Sequence, residues 1–361
     1  MEILLLFIFI IYCFFILFII SGLFRHNAIS SVSEKKLPSV SIIIAARNEE
    51  ENLPNLIEDL YRQNYPLNKL EVIIVNDRST DKTSEILNEA NKKHNFIKNI
   101  EIINTSSKMA PKKNALNEGV LRSSGKIIVS TDADCRVGKS WAMSMVNSTL
   151  KSNGISIGFS KVSASSLFEK YQLIDFLGII ISNAGASGWG HFWSGTGQNL
   201  AYFRKDYDEI NGFEPVRNEI SGDDMYLVQS ISKIKTGFIN INQDSYVETK
   251  PMKTLKSFIN QRVRWASNSS KNFNKNKVFF SFLVSALLSN ILITYSFLIG
   301  GSWILVFLIK YFLEWLVLFL GGKLFNTKVD LFVYTIWAIF QPFYIPFVAI
   351  MGLRNKYIWK P

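Results

Sequence analysis

Three long stretches without a charged side chain constrain the fold of this chain more than any other feature. They are residues 3–24, 278–309 and 331–353. A helix needs about 20 apolar residues to cross the hydrocarbon core of a bilayer. The first stretch therefore fits one span and the second is long enough to begin two. The sequence predicts an integral membrane protein with a polar middle.

The first apolar stretch favours an uncleaved anchor over a signal peptide. No basic residue precedes it, it is long, and no small-residue cleavage site follows it. Arg25, Lys35 and Lys36 come after it, and positively charged residues flank spans on the cytoplasmic side. We therefore expect an integral membrane protein of the inner or plasma membrane, with the polar middle in the cytoplasm.

The net charge of +11 raises the question of a nucleic-acid partner. The basic residues are scattered and form no cluster interleaved with aromatic residues, so membrane lipids with anionic headgroups are the simpler partner and no nucleic acid is expected. The two cysteines, Cys13 and Cys135, cannot build a disulfide framework or a metal knuckle. This agrees with a reducing compartment.

From residue 39 onward, β-branched apolar runs alternate with helix-like segments, a pattern typical of a parallel sheet covered on both faces. The predicted strands are 40–45, 71–75, 100–103 and 126–130, and the predicted helices are 50–63, 81–94 and 112–122. Ligands of such sheets bind at the carboxyl ends of the strands. Segment 167–181 fits either an interfacial helix or a core helix, and 185–197 is typical of an irregular loop.

Acidic residues follow two of these strands. Asp77 comes after strand 71–75, and Asp132 and Asp134 come after strand 126–130. Two carboxylates spaced by one residue can offer oxygen ligands to a divalent cation that also binds phosphates. Such a cation would neutralise a departing diphosphate. Taken alone, the pattern is weak, because loop aspartates usually form turns or caps.

Five motifs in a fixed order give a specific resemblance. They are Ile42-Ile43-Ile44-Ala45-Ala46-Arg47-Asn48-Glu49-Glu50, Asp77, Asp132-Ala133-Asp134, Gly222-Asp223-Asp224 and Gln261-Arg262-Val263-Arg264-Trp265. Together they resemble membrane-bound family 2 glycosyltransferases of the GT-A fold, similar to cellulose, chitin and hyaluronan synthases and to ceramide glucosyltransferase-like enzymes. The resemblance implies an α/β fold: a Rossmann-like GT-A domain that binds a nucleotide sugar, plus N- and C-terminal transmembrane helices.

The resemblance also implies a division of the chain into four parts. These are an N-terminal anchor at 1–24, a GT-A catalytic domain at 38–250, an amphipathic interface helix with the Q-x-x-R-W motif at 251–277, and transmembrane helices at 278–353. Pro342 and Pro346 lie in the last apolar stretch. They leave open whether it forms one span or a bent hairpin.

The same resemblance implies the roles of individual residues. The donor would be bound by Ala45, Arg47, Glu49, Asp77, Lys112, Asp132, Gln261 and Arg264. A Mg or Mn ion would be held mainly by Asp134, with Asp132 near it or near the ribose. The acceptor would be bound by Asn199, Asp223 and Trp265. Pro111 stands where the family's diphosphate motif usually has glycine, so Lys113 remains a rival to Lys112.

Asp224 would be the general base of an inverting reaction by this resemblance. Physically, displacement at an anomeric carbon requires removal of the acceptor hydroxyl proton, which a positioned carboxylate can do. Helix capping by Asp223 and Asp224 is the alternative, and it is compatible with catalysis. Gln261, Arg264 and Trp265 share a helix at spacings of three and four. Interfacial anchoring is the alternative for that helix.

The leading interpretation is an inverting, metal-dependent transfer of a sugar, most simply from a UDP-sugar. The acceptor would be a hydroxyl group on a lipid, a lipid-linked glycan or a growing polysaccharide. A processive polysaccharide synthase is the alternative within the same class. An alternative of another class is a non-catalytic membrane assembly subunit that retains the fold, although the intact acidic motifs argue against it.

Overall fold

The computed structural model describes residues 2–28, 37–104, 109–299 and 303–354. Lys35 and Lys36, on which the predicted orientation partly depends, lie outside the described residues. The chain forms two compact units. The helical unit comprises Met1–Arg25, Val162–Trp193 and Pro251–Pro361, and the sheet unit comprises His26–Lys161 and Ser194–Lys250.

The elements alternate as the sequence predicts. The strands are β1 (Val40–Ala46), β2 (Leu70–Asp77), β3 (Ile97–Ile102), β4 (Ile127–Ser130), β5 (Arg136–Val137), β6 (Ile155–Gly158), β7 (Ser160–Val162), β8 (Leu200–Phe203), β9 (Gly237–Asn240) and β10 (Val247–Thr249). The helices are α1 (Glu2–Leu23), α2 (Leu53–Tyr61), α3 (Thr83–Lys93), α4 (Pro111–Leu121), α5 (Trp141–Ser152), α6 (Leu167–Ser187), α7 (Arg204–Glu209), α8 (Asp223–Ile234), α9 (Leu255–Ala266), α10 (Asn272–Lys275), α11 (Lys277–Ile299), α12 (Trp303–Leu324) and α13 (Leu331–Leu353).

The main sheet has seven strands in the order β3-β2-β1-β4-β8-β6-β9. Strand β1 pairs in parallel with β2 and β4, whereas β8 runs antiparallel to β4 and β6. The inner strands are buried on both faces, which is why their sequences are nearly continuous apolar runs. Because β1, β2 and β4 are parallel, their carboxyl ends meet at one edge, where the acidic residues lie. The predicted α/β fold is confirmed.

Strand β2 runs two residues further than the sequence predicts. Asn76 and Asp77 remain in the sheet because they continue the parallel ladder with β3, opposite Glu101 and Ile102. Asp77 is therefore the last residue of the strand and not part of the following loop. Its backbone position is fixed by pairing with β3.

In the described part of the helical unit, α1, α11, α12 and α13 are each long and apolar enough to cross a membrane. Helix α6 packs against α1, α12 and α13, as expected of a core helix. Its crossing with α1 is close: a Cβ at Gly22 would overlap the carbonyl oxygen of Gly185, and one at Gly185 would overlap Ile19. Small residues at such crossings let two backbones approach in a membrane.

The last apolar stretch is one helix, α13, with Pro342 and Pro346 inside it. Since proline has no backbone N–H, Pro346 leaves the carbonyl of Pro342 without its helical donor. The hydroxyl of Thr294 on α11 lies 2.9 Å from that carbonyl and 3.1 Å from the Asn290 carbonyl of its own helix, and the shorter distance favours donation to Pro342. A neighbouring side chain thus supplies the hydrogen-bond donor that the Pro342 carbonyl lacks. The structure has one continuous helix here and not the hairpin.

We expect Thr294→Val to destabilise the helical unit by about 1 kcal/mol, because the Pro342 carbonyl loses its donor in an apolar environment. Thermal unfolding in detergent measures the effect. Thr294→Ser keeps the hydroxyl and serves as the control. Equal unfolding temperatures for the valine and serine variants would show that this hydrogen bond does not stabilise the unit.

Candidate active site

Hydrogen bonds join the loops that follow β1 and β2. The backbone N–H of Asn48 donates to Ser79 Oγ at 2.9 Å, and the N–H of Thr80 donates to Asn48 Oδ1 at 2.8 Å. Asn48 and Arg78 adopt positive φ angles of 54° and 55°. Such conformations cost about 1–3 kcal/mol and persist where the surroundings enforce them, which is common at functional sites.

The carboxylate of Asp77 lies between two arginines. Arg78 donates to it twice, from Nε at 2.7 Å and from a terminal nitrogen at 3.1 Å, and Arg47 lies 3.9 Å away. Arg78 was not predicted to belong to the site, although an arginine directly after a strand-terminal aspartate was a visible signal. Of the other predicted donor residues here, Ala45 is partly exposed near the end of β1. Glu49 is buried and accepts from the Asn52 amide at 2.7 Å.

Lys112, on α4, lies at the centre of a carboxylate cluster at the carboxyl edge of the sheet. Its Nζ donates to Asp132 Oδ1 at 2.9 Å and lies 3.8 Å from Asp223 Oδ2. Burial lowers the pKa of Lys112, but the charges of Asp132, Asp223 and Asp224 raise it by more, so its pKa lies above the ordinary value. The ammonium therefore stays charged and joins two motifs that are far apart in sequence, 132–134 and 222–224.

Lys113, the rival to Lys112, has a different environment. Its side chain is buried, and its Nζ donates to the backbone carbonyls of Glu219 and Ser221. These carbonyls lie in the loop just before α8, so Lys113 holds the turn that precedes Asp223. Of the two lysines, only Lys112 has its ammonium among the described carboxylates at the edge of the sheet.

Asp224 lies in the first turn of α8. Its carboxylate accepts from the N–H of Met225 at 2.7 Å and from the N–H of Gly197 at 3.3 Å. Burial, together with the charge of neighbouring Asp223, raises the pKa of Asp224 to about 6. A carboxylate with a pKa near the working pH is suited to accept a proton.

If Asp224 is the general base that the family resemblance implies, its raised pKa sets the pH dependence of the activity. We expect kcat/KM to rise with pH and to level off above about pH 6, because only the ionised carboxylate can accept a proton. Below that value the rate should fall about tenfold per pH unit. Initial rates between about pH 5 and pH 8 test this. A profile without an inflection near pH 6 would remove Asp224 as the titrating group.

Asp132 and Asp134, just past β4, have partly exposed carboxylates. Asp132 binds Lys112, and Asp134 Oδ1 accepts from the Cys135 thiol at 3.7 Å. Nowhere in residues 2–28, 37–104, 109–299 or 303–354 do three or more His, Cys, Asp or Glu residues form a metal-binding group. Two oxygen donors suit Mg²⁺ or Mn²⁺ when phosphates and water complete the coordination shell. The pair therefore fits a cation that binds together with a diphosphate.

Asn199, predicted to contact the acceptor, is fully buried in the sheet unit. Its amide nitrogen donates to the carbonyls of Phe159 and Ser245, and its oxygen accepts from the indole of Trp141 at 3.0 Å. All these bonds stabilise the fold. They hold Asn199 among three segments of the sheet unit, and its contact with an acceptor stays a prediction.

The predicted residues Gln261, Arg264 and Trp265 are partly exposed on α9, within the helical unit. Arg262 between them is buried, and it donates to the Gln261 side chain and to Asp175 on α6. Its guanidinium also lies 4.3 Å from the centre of the Trp265 ring. Arg262 therefore fixes the side chains of two motif residues.

Comparison with known proteins bears on the chemistry of the carboxylate cluster. Residues 41–221 match the family model described as Glycosyl transferase family 2. The probable glycosyltransferase YdaM of Bacillus subtilis is 38% identical over 125 residues, which are 33% of this chain and 30% of that protein. A beta-monoglucosyldiacylglycerol synthase of Nostoc is 36% identical over 110 residues, 30% of this chain and 23% of that protein. The matches thus span less than a third of either relative.

One solved structure matches nearly the whole chain. It is a mannosyltransferase from Pyrobaculum calidifontis, in complex with GDP-Man and Mn²⁺. Its TM-score is 0.65 at 18% identity, and the match covers 98% of this chain and 99% of that one. At this identity the likeness shows a shared fold.

Proposed function

Since the chain belongs to glycosyltransferase family 2, we propose that it transfers a sugar from a nucleoside diphosphate donor to a hydroxyl acceptor. A UDP-sugar is the first candidate donor. The acceptor is a lipid, a lipid-linked glycan or a growing polysaccharide. The observation that carries this proposal is the cluster around Lys112. The Lys112 ammonium lies among Asp132, Asp223 and Asp224 at the carboxyl edge of the sheet.

The donor lies along this edge. Asp77 and Arg47, beside Ala45 and Glu49, bind the nucleoside, and Lys112 binds the diphosphate. Asp134 and Asp132 would hold a Mg²⁺ or Mn²⁺ ion, which would supply positive charge to neutralise the leaving diphosphate. The positive φ angle of Arg78 and the hydrogen bonds between the two loops support a preformed nucleoside pocket.

The chemical step is a single displacement. The acceptor oxygen forms a bond to the anomeric carbon as the bond from that carbon to the diphosphate oxygen breaks, and the diphosphate leaves with the electron pair. Asp224 takes the proton of the acceptor hydroxyl, and neighbouring Asp223 helps to bind the acceptor. With one base and no covalent intermediate, the configuration at the anomeric carbon is inverted. The raised pKa of Asp224 supports this role.

A lipid or short lipid-linked glycan is the preferred acceptor. Four candidate spans in the described part of the chain, and the name of the Nostoc relative, support an acceptor that resides in the membrane. Gln261 and Arg264 are assigned to the diphosphate and Trp265 to the acceptor sugar, as the family resemblance implies. Arg25, directly after α1, supports a cytoplasmic catalytic domain. A processive synthase would need the same site but would release polymer.

Incubation of the purified protein in nanodiscs with a panel of radiolabelled nucleotide sugars tests the proposed function. Products are separated into lipid extract and polymer, with and without Mn²⁺. We expect release of the nucleoside diphosphate together with label in the lipid fraction. Label only in polymer would support the processive alternative. No transfer from any donor to membrane lipids or glycans would support a non-catalytic subunit.

A further inference from the structure

We propose that the Lys112 ammonium is an internal counter-ion, which pairs with Asp132 until it binds a diphosphate instead. Binding of the donor and binding of the metal therefore strengthen each other. This inference rests on the proposed function, because it takes a nucleoside diphosphate as the ligand. It adds a property of the chain itself: the metal site becomes fully available only when the donor is present.

The Lys112 ammonium lies between two carboxylates of the cluster. The Lys112 ammonium donates to Asp132 Oδ1 at 2.9 Å, and the same nitrogen lies 3.8 Å from Asp223 Oδ2. Asp132 is one of the two carboxylates proposed to bind the metal. A divalent cation at this carboxylate would lie within a few ångströms of the ammonium, and like charges at that distance repel strongly in a partly buried site. Lys112 and the metal therefore compete for Asp132.

Lys112 can exchange its partners, whereas Lys113 cannot. The Lys112 side chain is 23% exposed, and all the partners recorded for it in the described chain are side-chain carboxylates. The Lys113 side chain is buried and its ammonium donates to two backbone carbonyls. A diphosphate offers an ammonium several charged oxygens, so Lys112 can exchange Asp132 for phosphate without leaving its own charge unpaired, and Asp132 is then available to the metal.

Gly197 lies beside the Lys112 ammonium. A Cβ on Gly197 would lie 3.6 Å from Lys112 Nζ and 3.4 Å from Asp223 Oδ2. Because residue 197 is glycine, no side chain from this position crowds the ammonium or Asp223. Lys112 can therefore turn towards a bound diphosphate without meeting a side chain at residue 197.

The consequence is a thermodynamic coupling. If the donor removes Lys112 from Asp132, it raises the affinity for the metal, and the metal must raise the affinity for the donor by the same factor. Removing the ammonium should therefore have opposite effects on the two ligands. Metal alone should bind more tightly, and the nucleotide should bind more weakly.

Calorimetric titration of Mn²⁺ into the full chain in nanodiscs, without nucleotide, tests this proposal. We expect Lys112→Met to bind Mn²⁺ roughly tenfold more tightly than the wild type. Lys112→Arg keeps the charge and should bind Mn²⁺ like the wild type. Lys98→Met removes a lysine that pairs with Glu71 at 2.7 Å, near the opposite end of β2, and should also leave Mn²⁺ affinity unchanged. If Lys112→Met does not fold, Lys112→Gln replaces it in the titration, because it also removes the charge and should bind Mn²⁺ equally tightly.

A second titration, of UDP and GDP with and without Mn²⁺, measures the coupling. We expect nucleotide to increase Mn²⁺ affinity by a larger factor in the wild type than in Lys112→Met. Equal or weaker Mn²⁺ binding by the nucleotide-free methionine and glutamine variants would overturn the proposal. Failure of every nucleotide to bind the wild type would instead overturn the proposed function, and the metal titration without nucleotide would still report on Lys112.

Discussion

Replacement of Asp224 by asparagine is expected to lower kcat for sugar transfer by about a hundredfold to ten-thousandfold, the usual contribution of general base catalysis. An amide cannot accept the proton of the acceptor hydroxyl. Donor binding should be retained, because the proposed donor ligands are other side chains. Initial rates and donor affinity, measured on the same preparation, separate the two effects. Weakened donor binding with normal kcat would place Asp224 in the donor site.

Loss of folding does not explain the expected result for Asp224→Asn. The fold raises the pKa of Asp224 to about 6, so the ionised carboxylate destabilises the native state. That destabilisation is complete above about pH 6 and disappears as the pH falls through the ordinary range of aspartate near 4. The variant should therefore unfold at the same or a higher temperature than the wild type at neutral pH. Asp208→Asn, on the exposed side of α7, is the matched control and should keep full activity.

Removal of the divalent cation should lower transfer at least about a hundredfold, because charge on the leaving diphosphate would lose its main stabilisation. Chelation of the wild type and the variant Asp134→Asn are expected to have similar effects. Chelation should then have little further effect on that variant, since both remove the same interaction. Asp244→Asn changes an exposed aspartate outside the cluster and is the control.

Two outcomes would contradict the metal assignment. Full activity of the chelated wild type would remove the cation from the mechanism. A further large loss on chelation of Asp134→Asn would show that Asp134 does not carry the metal interaction. Both experiments measure activity together with metal content, and the metal content is determined by elemental analysis of the purified proteins.

Much of the sheet could be predicted from the sequence because its inner strands are short apolar runs bounded by polar residues. The prediction of β1 and β4 was within one residue of the structure at each end. The end of β2 was missed because Asn76 and Asp77 are polar, and only pairing with β3 keeps them in the sheet. Local composition cannot show a pairing between distant residues.

The site was predictable to a similar extent. The sequence placed the acidic residues at strand ends, but it could not show that Lys112 and not Lys113 lies among them, since adjacent residues differ only in the direction of their side chains. Nor could it show the buried position of Asn199, whose partners come from three separate segments. The roles of the motif residues on α9 stay predictions.

A structure of the protein bound to UDP and Mn²⁺, with the anomalous signal of manganese, tests the central claim most directly. The account predicts the manganese peak at the carboxylates of Asp134 and Asp132, with the Lys112 ammonium moved from Asp132 to the diphosphate. A manganese peak away from both carboxylates, or Lys112 still paired with Asp132 beside a bound diphosphate, would contradict it.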